Sequence, residues 1–174
     1  LADAMNVLHE YEPPEGYYVA FSGGKDSQVI LDLVKRSGVK YDAHMNITSV
    51  DPPELRHFVK EHYPDVMRHR PKLTMFQLIE KWHMVPTAKA RYCCAVLKEH
   101  GGTGRTVITG IRKAESHRRS KRNMFEISKT DKSKKMIHII LDWKDNDVWQ
   151  YIRSLGLPYC ELYDQGYTRI GCIG

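Results

Sequence analysis

Hydrophobic residues along the chain follow two periods in turn, one typical of strands and one typical of helices. Positions 17–21 form an aromatic and β-branched run, which predicts a buried strand. Aliphatic residues at 29, 30, 33 and 34 then recur at helical spacing, and Gly38 offers a natural end to that helix. The pattern therefore predicts a strand, a tight polar loop and a helix in succession.

The same two patterns alternate through the rest of the chain. Further strands are predicted at 39–47, 66–69, 105–110 and 136–141. Further helices are predicted at 52–62, 75–82, 93–98 and 144–154. Strands that alternate with helices favour βαβ units, so we predict an α/β fold with three layers, in which a mostly parallel, twisted, Rossmann-like sheet has helices on both faces.

Length and composition fit a single domain over residues 1–174. The chain has 41% hydrophobic and 28% charged residues, as globular proteins do, and no apolar run approaches the roughly 20 residues of a membrane helix. No signal peptide is recognisable, so we expect a cytoplasmic protein without membrane contact. The four cysteines, two of them adjacent, fit a reducing compartment better than a disulfide framework.

The formal net charge of +6 is concentrated in one segment. Residues 112–135 hold ten Lys or Arg against three Asp or Glu, whereas the rest of the chain has 17 against 18. Such a surplus is typical of contact with phosphate groups or nucleic acid, and also of a solvated basic loop. Nucleic acid is therefore a candidate partner of segment 112–135, with the solvated loop as the alternative.

The stretch between the first strand and its helix has the composition of a phosphate-binding loop. It consists of Ser22, Gly23, Gly24, Lys25, Asp26 and Ser27. Two adjacent glycines let the backbone turn sharply and approach a ligand, while the helix N-terminus supplies unpaired N–H groups and partial positive charge. Ser22, Lys25 and Ser27 add side-chain donors, so we predict a phosphate cradle. A plain turn capped by Asp26 or Ser27 is the alternative.

This loop lacks the spacing of a Walker loop, which has four residues between its first glycine and Gly-Lys-Ser/Thr. It resembles the Ser-Gly-Gly-x-Asp-Ser loop of the adenine nucleotide α-hydrolase-like (PP-loop) superfamily. The resemblance implies ATP with its β- and γ-phosphates on the loop, Mg²⁺ on the phosphates and a catalytic Lys25. It also implies that the strand edge at Asn46 and Thr48 holds the adenine, whereas Asp51 fits helix capping better than Mg²⁺ binding.

A second motif follows the strand predicted at 105–110. From Gly110 onwards the chain resembles the Gly-x-Arg-x-x-Glu-Ser-x-x-Arg segment of the phosphoadenosine phosphosulfate (PAPS) reductase family. Guanidinium groups donate in a fork that suits phosphate and sulfate. The resemblance implies that Gly110 and Arg112 bind the nucleotide, and that Arg112 acts in catalysis with Arg118 or Arg119, of which we select Arg118. Residues 142–172 resemble the C-terminal half of the same family.

Three of the four cysteines fit a further pattern of this family. Cys93, Cys94 and Cys172 resemble the Cys-Cys…Cys-x-x-Cys pattern of members that carry a [4Fe–4S] cluster, which needs four ligands. The fourth cysteine would come directly after Gly174, so we expect the sequence to be truncated within this motif. Zinc on the same cysteines and plain packing without a metal are the alternatives. Cys160 fits no pattern and is expected to pack in the core.

Three functions are compatible with these motifs. The intact loop favours a PAPS reductase-like enzyme that cleaves the α–β phosphate bond of ATP, releases pyrophosphate and adenylylates an acceptor, with sulfur transfer to nucleic acid as one variant. The second is a sulfonucleotide reductase acting on PAPS or adenosine 5′-phosphosulfate (APS), whose catalytic cysteine tail is missing from this sequence. The third is a nucleotide-binding or nucleic-acid-binding module without catalysis.

Overall fold

The structure is a computed structural model that describes residues 2–87, 90, 92–98 and 101–170. Its helices are α1 (Ala2–Glu10), α2 (Lys25–Ser37), α3 (Pro53–His62), α4 (Met75–Trp82), α5 (Tyr92–Leu97), α6 (His117–Ser120) and α7 (Asp145–Ser154). Its strands are β1 (Tyr17–Ala20), β2 (Tyr41–Asn46), β3 (Met67–His69), β4 (Thr106–Ile108), β5 (Phe125–Ile127) and β6 (Lys135–Ile137). Short 3-10 turns lie at Lys113–Glu115 and Glu161–Tyr163.

The strands form one sheet in the order β3-β2-β1-β4-β6-β5. Neighbouring strands are parallel, except that β5 pairs antiparallel with β6 at the edge. The chain extends the sheet from β1 to β2 and β3 on one side and returns to place β4 on the other side, so the boundary between β1 and β4 is a topological switch point. Ligands of open α/β sheets bind beyond the carboxyl ends of the strands at such a point. The predicted α/β fold with a mostly parallel sheet is confirmed.

The core holds β1 and α2 in fixed positions. Tyr17 and Val19 of β1 are fully buried, because β1 has a paired strand on each side and helices over the sheet. The Tyr17 hydroxyl donates to the Leu8 carbonyl oxygen at 2.9 Å, which ties α1 to the sheet. Since α1 and α7 also pack against α2, the loop between β1 and α2 is anchored at both ends.

The structure differs from the sequence prediction at the edge of the sheet that β6 and β5 form. The strand predicted at 136–141 is confined to β6, and turns follow at 139–142, where the Leu141 N–H donates to the His138 carbonyl oxygen at 3.1 Å. The apolar run over Ile139, Ile140 and Leu141 is explained by their burial in the core and not by an extended strand. Strand β5 was not predicted, because it is short and its Phe125 and Ile127 are exposed.

A smaller apolar cluster joins α4 and α5, the two helices between β3 and β4. It contains Leu78 from α4 and Tyr92 and Leu97 from α5, and the predicted helices at these positions are confirmed. Thr74 begins α4 in a capping box with Gln77. No helix among the described residues is long and apolar enough to cross a membrane.

Candidate functional site

The loop at 22–27 leaves β1 at the switch point and turns directly into α2. Gly23 makes this turn with φ of 75°, and a Cβ there would lie 2.6 Å from Leu55 Cδ1 and 2.7 Å from Val59 Cγ2. The turn therefore requires glycine for its backbone conformation and for the contact with α3. Gly24 has an ordinary extended conformation, and the nearest atoms to a Cβ there would be 3.5 Å or more away. Its lack of a side chain is thus not required by the fold.

Hydrogen bonds within the loop fix its serine hydroxyls at the start of α2. Ser27 Oγ donates to the Gly24 carbonyl oxygen at 2.7 Å, and Ser22 Oγ donates to Ser27 Oγ at 3.3 Å. The buried Gln28 amide donates to the Gly23 carbonyl oxygen at 2.8 Å. The hydroxyls therefore lie together beside the first N–H groups of a 13-residue helix, where partial positive charge favours an anion.

A cleft of about 200 Å³ opens beside this loop. The loop forms one wall, and Gly110 and Ile111, which follow β4, form another. A Cβ on Gly110 would lie 3.1 Å from the Asp26 backbone carbon and Cβ, so glycine lets the two walls approach closely. The structure thus brings the predicted residues Ser22, Gly24, Lys25, Asp26, Ser27 and Gly110 together along one cleft.

Arg112 is placed behind the loop and not among the residues that line the cleft. Its guanidinium is buried, with Nε 2.6 Å from Asp26 Oδ1 and Nη2 3.0 Å from Asp145 Oδ1. Burial raises the pKa of Asp26, and Arg112 and Lys25, the nearby cations, act against that rise. This network holds the first turn of α2 against the start of α7. Direct contact between Arg112 and a nucleotide stays a prediction.

Lys25 is also buried, and its side chain points toward the C-terminal segment. The ammonium donates to the Thr168 carbonyl oxygen at 2.8 Å and lies 3.2 Å from Asp145 Oδ1. It is 5.3 Å from the ring centre of Tyr163 and 6.0 Å from that of Trp149. The Lys25 backbone N–H donates to the Tyr163 hydroxyl at 2.9 Å. Residues 163–168 therefore contact the start of α2. The catalytic role of Lys25 stays a prediction.

Of the two arginines that the sequence offered, Arg119 lines the cleft and Arg118 does not. Successive residues of α6 point about 100° apart, so the two side chains leave the helix in different directions, and Arg118 is exposed to solvent. Arg119 pairs with Glu115, which also lies 3.9 Å from the guanidinium of the exposed Arg169. Arg119 is therefore the arginine of the pair that lies at the cleft, and a catalytic role for Arg118 stays a prediction.

The loop after β2 is organised differently from the sequence prediction. Asp51 does not cap α3, which begins after Pro52 without a side-chain cap. Its carboxylate instead accepts a hydrogen bond from the Thr48 N–H at 2.7 Å, because the loop folds back on itself before the helix. The Asn46 side chain donates to the Lys98 carbonyl oxygen at 2.9 Å, and Thr48 is buried. Adenine binding at this edge stays a prediction.

Two of the three predicted cluster ligands lie within the described residues. Cys93 and Cys94 are half-buried and adjacent on α5, and Cys172 lies outside the described residues. No group of three or more His, Cys, Asp or Glu side chains suited to a metal ion occurs in the described part of the chain. A [4Fe–4S] site needs four ligands, of which the described residues contain two candidates, so the cluster stays a prediction. Cys160 is buried in the main core, as predicted.

Sequence reasoning missed Asp145 and Arg169. Asp145 accepts from both buried cations of the loop region, Lys25 and Arg112. In the sequence it is one of several acidic residues near the start of a helix, where a favourable interaction with the helix dipole is a sufficient explanation. Arg169 had no motif of its own, and its place at the cleft follows only from the path of the C-terminal segment.

A mostly parallel sheet whose switch point carries a Ser-Gly-Gly-Lys-Asp-Ser loop defines an α/β nucleotide-binding domain of the PP-loop class. The family model described as "Phosphoadenosine phosphosulfate reductase domain" matches residues 16–174. The chain therefore belongs to the PAPS reductase domain family. The resemblance inferred from the loop and from the Gly110 segment is confirmed.

Sequence relatives include two kinds of enzyme. An adenosine 5′-phosphosulfate reductase from Staphylococcus epidermidis is 33% identical over 176 residues, which cover 94% of this chain and 70% of the relative. A probable FAD synthase from Caenorhabditis briggsae is 29% identical over 168 residues, which cover 95% of this chain and 31% of the relative. The prediction that the chain is an enzyme of this class is confirmed, while its particular reaction is open.

Solved structures share the fold at lower identity. The PAPS reductase of Candida auris, a phosphate complex, superposes with a TM-score of 0.71 at 21% identity, covering 97% of this chain and 87% of that chain. The FMN adenylyltransferase of Candida glabrata, in complex with FAD and inorganic pyrophosphate, gives a TM-score of 0.65 at 17% identity, covering 98% and 60%. These likenesses establish the common architecture.

Proposed function

We propose that the chain binds ATP with its β- and γ-phosphates on the loop at 22–27 and transfers the adenylyl group to an acceptor. A bond forms between an acceptor oxygen and the α-phosphorus, and the bond from that phosphorus to the bridging oxygen breaks. Pyrophosphate leaves with the electron pair, and no oxidant or reductant is consumed. The observation that carries the proposal is the loop itself, whose two hydroxyls and helix N-terminus lie along a cleft of about 200 Å³.

The charges around the cleft agree with an anionic ligand. Arg119 and Arg169 line it, and α2 directs its N-terminus toward it. Both arginines lie near Glu115, which can hold them in place until a phosphate supplies stronger charge-assisted hydrogen bonds. We assign these two arginines, with the loop N–H groups, to the stabilisation of charge on the departing pyrophosphate.

Mg²⁺ fits this cleft as an ion that arrives with the nucleotide. The two carboxylates along the cleft, Asp26 and Glu115, are both engaged by arginine. Mg²⁺ is commonly held by one or two carboxylates together with substrate phosphates and waters. When bound, it would neutralise phosphate charge, and Asp26 and Glu115 are the cleft carboxylates that would contact it while they remain beside their arginines.

Reduction of APS or PAPS is the second candidate, and it is favoured by the reductase that is 33% identical to this chain. The name of that relative refers to adenosine 5′-phosphosulfate, and the name of the less similar relative refers to FAD. Both compounds contain an adenosine group. The complete Ser-Gly-Gly-Lys-Asp-Ser loop supports ATP over APS, since the loop offers donors for a β,γ-pyrophosphate.

Two substitutions in the loop test the phosphate site. In Gly24→Ala the fold is retained because the added Cβ makes ordinary contacts, but the methyl group enters the cleft. We expect its ATP affinity to fall about tenfold or more, which corresponds to ~1.4 kcal/mol. Ser27→Ala removes a donor beside the same cleft, and a loss of about fivefold is expected. Calorimetric titration with a non-hydrolysable ATP analogue measures both.

Ser37→Ala is the matched control for Ser27→Ala. Its hydroxyl donates to the Val34 carbonyl oxygen at 2.8 Å, the same bond to the same relative position of α2, but at the far end of the helix. The control should bind ATP as the parent does. Pyrophosphate release from ATP when candidate acceptors are added supports the proposed reaction, whereas ATP binding without release in the presence of every acceptor tested favours a non-catalytic module. Sulfite release from APS with a thiol donor, in a chain extended past residue 174, supports the reductase.

A further inference from the structure

Two histidines face each other across the last two strands at the β3 edge of the sheet. His44 lies on β2 and His69 lies on β3, 25 residues later in the sequence, and neither lines the nucleotide cleft. His44 Nδ1 and His69 Nε2 are 2.7 Å apart, and the two ring planes differ by 17°. The two rings therefore direct one nitrogen each toward the same point between the strands.

The His44 ring is held in place by two neighbours. Its side chain is 11% exposed, and the ring stacks on that of Tyr18 with 4.0 Å between centroids. His44 Nε2 donates to the Asp42 carboxylate, which also accepts from Arg105 Nη2 at 2.5 Å. Burial acts to raise the pKa of Asp42, but the hydrogen bonds from Arg105 and His44 outweigh burial, and the pKa is lowered. Asp42 is therefore an ionised acceptor that keeps the His44 proton on Nε2.

This arrangement determines which nitrogen of His44 carries a lone pair. With its proton on Nε2, the neutral ring has the lone pair on Nδ1, the nitrogen that faces His69. A carboxylate that binds the second nitrogen of a histidine is the usual support of a metal-binding histidine. Because His69 is exposed, its proton can exchange through water from Nε2 to Nδ1. The pair then offers two nitrogen lone pairs to one ion, and both rings stay neutral.

The separation of the two nitrogens is close to what a metal ion requires. Zn–N bonds of about 2.0–2.1 Å at a tetrahedral angle place two nitrogens about 3.3 Å apart, so a shift of about 0.6 Å is needed. His69 can make this shift, because β3 is an edge strand of three exposed residues that pairs with β2 alone. Since Arg105 compensates the charge of Asp42, the ligands add no net negative charge, which favours a moderate affinity.

We propose that His44 Nδ1 and His69 Nε2 bind one Zn²⁺ ion, with Asp42 as the support of His44 and water in the remaining coordination positions. The ion links the edge strand β3 to β2. Imidazole nitrogen suits Zn²⁺, whereas Mg²⁺ and Ca²⁺ prefer oxygen ligands, so the site selects between these classes of ion. Its ligands are separate from the nucleotide cleft, and its test does not depend on the proposed function.

The first experiment titrates metal-free protein with Zn²⁺ in competition with a chromophoric zinc indicator. We expect a Kd of about 10 µM for two protein ligands, and no competition from Mg²⁺ or Ca²⁺ at about a hundredfold excess. Long-range ¹H–¹⁵N NMR spectra of the histidine rings locate the ion. Zn²⁺ should move the resonances of His44 Nδ1 and His69 Nε2, which separates this site from zinc bound to cysteine.

His69→Gln removes one ligand at an exposed position, so the fold should be retained. We expect its Zn²⁺ affinity to fall at least about tenfold. His57→Gln, which replaces an exposed histidine on α3, is the matched control and should bind Zn²⁺ as the parent does. Saturating Zn²⁺ should raise the Tm of the parent and of the control by about 5 °C, because the ion binds the folded chain. It should leave the Tm of His69→Gln unchanged.

A gain of affinity tests the geometry independently. Met67 is the register partner of His44 and lies two residues before His69, so all three residues share one face of the sheet. Met67→His adds a third imidazole on that face and should tighten Zn²⁺ binding about tenfold or more. Arg68→His, at the next position of β3, adds a histidine on the opposite face and should leave the affinity unchanged.

Three outcomes contradict the site. They are the absence of saturable Zn²⁺ binding, an equal affinity in the parent and His69→Gln, and an equal gain in Met67→His and Arg68→His. An equal affinity in His69→Gln would mean that the zinc is bound by other residues. ATP binding is measured separately, and its absence would contradict only the proposed function.

Discussion

Gly23 and Gly38 have nearly the same backbone conformation but very different surroundings. Comparing them separates the two costs of replacing a glycine, which are backbone strain and overpacking. Both have φ near 75°, but a Cβ on Gly38 would meet nothing within 4 Å, whereas one on Gly23 would overlap Leu55 and Val59. Gly38→Ala should lower the free energy of unfolding by about 1 kcal/mol, the cost of the left-handed conformation. Gly23→Ala should cost about 2–4 kcal/mol, because overpacking is added.

Urea unfolding of the two glycine variants measures the difference. Equal destabilisation would contradict the close packing of the loop against α3.

The sequence pattern could identify the loop, since two glycines before a helix signal a turn. The pattern could not say that Gly23 serves the fold while Gly24 faces the cleft, because that division depends on α3.

Asp145 is the single carboxylate that Lys25 and Arg112 share within the described part of the chain. Asp145→Asn removes the negative charge that the two buried cations share. Arg112 keeps its ion pair with Asp26, and Lys25 keeps its hydrogen bond to the Thr168 carbonyl oxygen. Because the Asp145 side chain is 58% exposed, we expect a moderate loss of about 1–2 kcal/mol in the free energy of unfolding. ATP binding should also weaken, since the start of α2 loses a constraint.

Asp142→Asn is the control for Asp145→Asn. Asp142 pairs with Lys113 at 2.7 Å, but both side chains are largely exposed, so the variant should change stability by less than about 0.5 kcal/mol. Thermal unfolding and ATP titration of the two variants side by side give the answer. If Asp142→Asn were the more damaging of the two, the buried network would not be what secures the loop.

Among the elements, those determined by local signals were predicted and those determined by distant partners were not. The unit β1–loop–α2 could be predicted because its strand, glycines and helical period are contiguous. The hydrogen bond that the Thr48 N–H donates to the Asp51 carboxylate could not be predicted, because a carboxylate before proline fits helix capping equally well in sequence. The position of Arg112 behind the loop depends on Asp26 and Asp145, which are 86 and 33 residues away.

His138 connects the ends of β4 and β6, and its burial makes this connection sensitive to pH. The ring is fully buried, with Nδ1 2.6 Å from Thr109 Oγ1, and Nε2 has no hydrogen-bond partner in the described residues. Burial lowers the pKa of His138 below its ordinary value of 6.5, while Glu126 opposes this shift and Arg122 and Arg119 add to it. The folded protein therefore favours the neutral ring.

Stability should consequently fall as the pH drops below about 6.5. The unfolded chain then binds a proton that the folded chain does not, so the free energy of unfolding decreases by up to ~1.4 kcal/mol per pH unit until the folded pKa is reached. Urea unfolding between about pH 8 and pH 5.5 measures this slope. His138→Gln should flatten it, and the exposed His57→Gln should keep it. If the slope of unfolding free energy against pH were unaltered in His138→Gln, a group other than His138 would be responsible for the titration.

At the scale of the whole molecule, the basic surplus of segment 112–135 is smaller than its composition indicates. Arg112, Lys113, Arg119 and Arg122 make ion pairs with carboxylates, and Lys134 is buried. The remaining cations are exposed and without an ion pair in the described residues, and they are Arg118, Lys121, Lys129, Lys132 and Lys135. The sequence alone could not show this, because ion pairing within the segment and to Asp26 or Asp142 depends on the fold.

This count limits how a nucleic acid could bind to the segment. If the five exposed cations each neutralise one phosphate of a single strand, the logarithm of the binding constant should fall with the logarithm of salt concentration with a slope of about −3.5, and no steeper. Fluorescence anisotropy with a labelled single-stranded oligonucleotide, titrated over a range of salt concentrations, measures the slope. Lys121→Gln and Lys129→Gln should each reduce its magnitude by about 0.7, and Lys60→Gln on α3 should not. A steeper slope would require a second basic surface, and no binding at low salt would exclude nucleic acid as a partner of this segment.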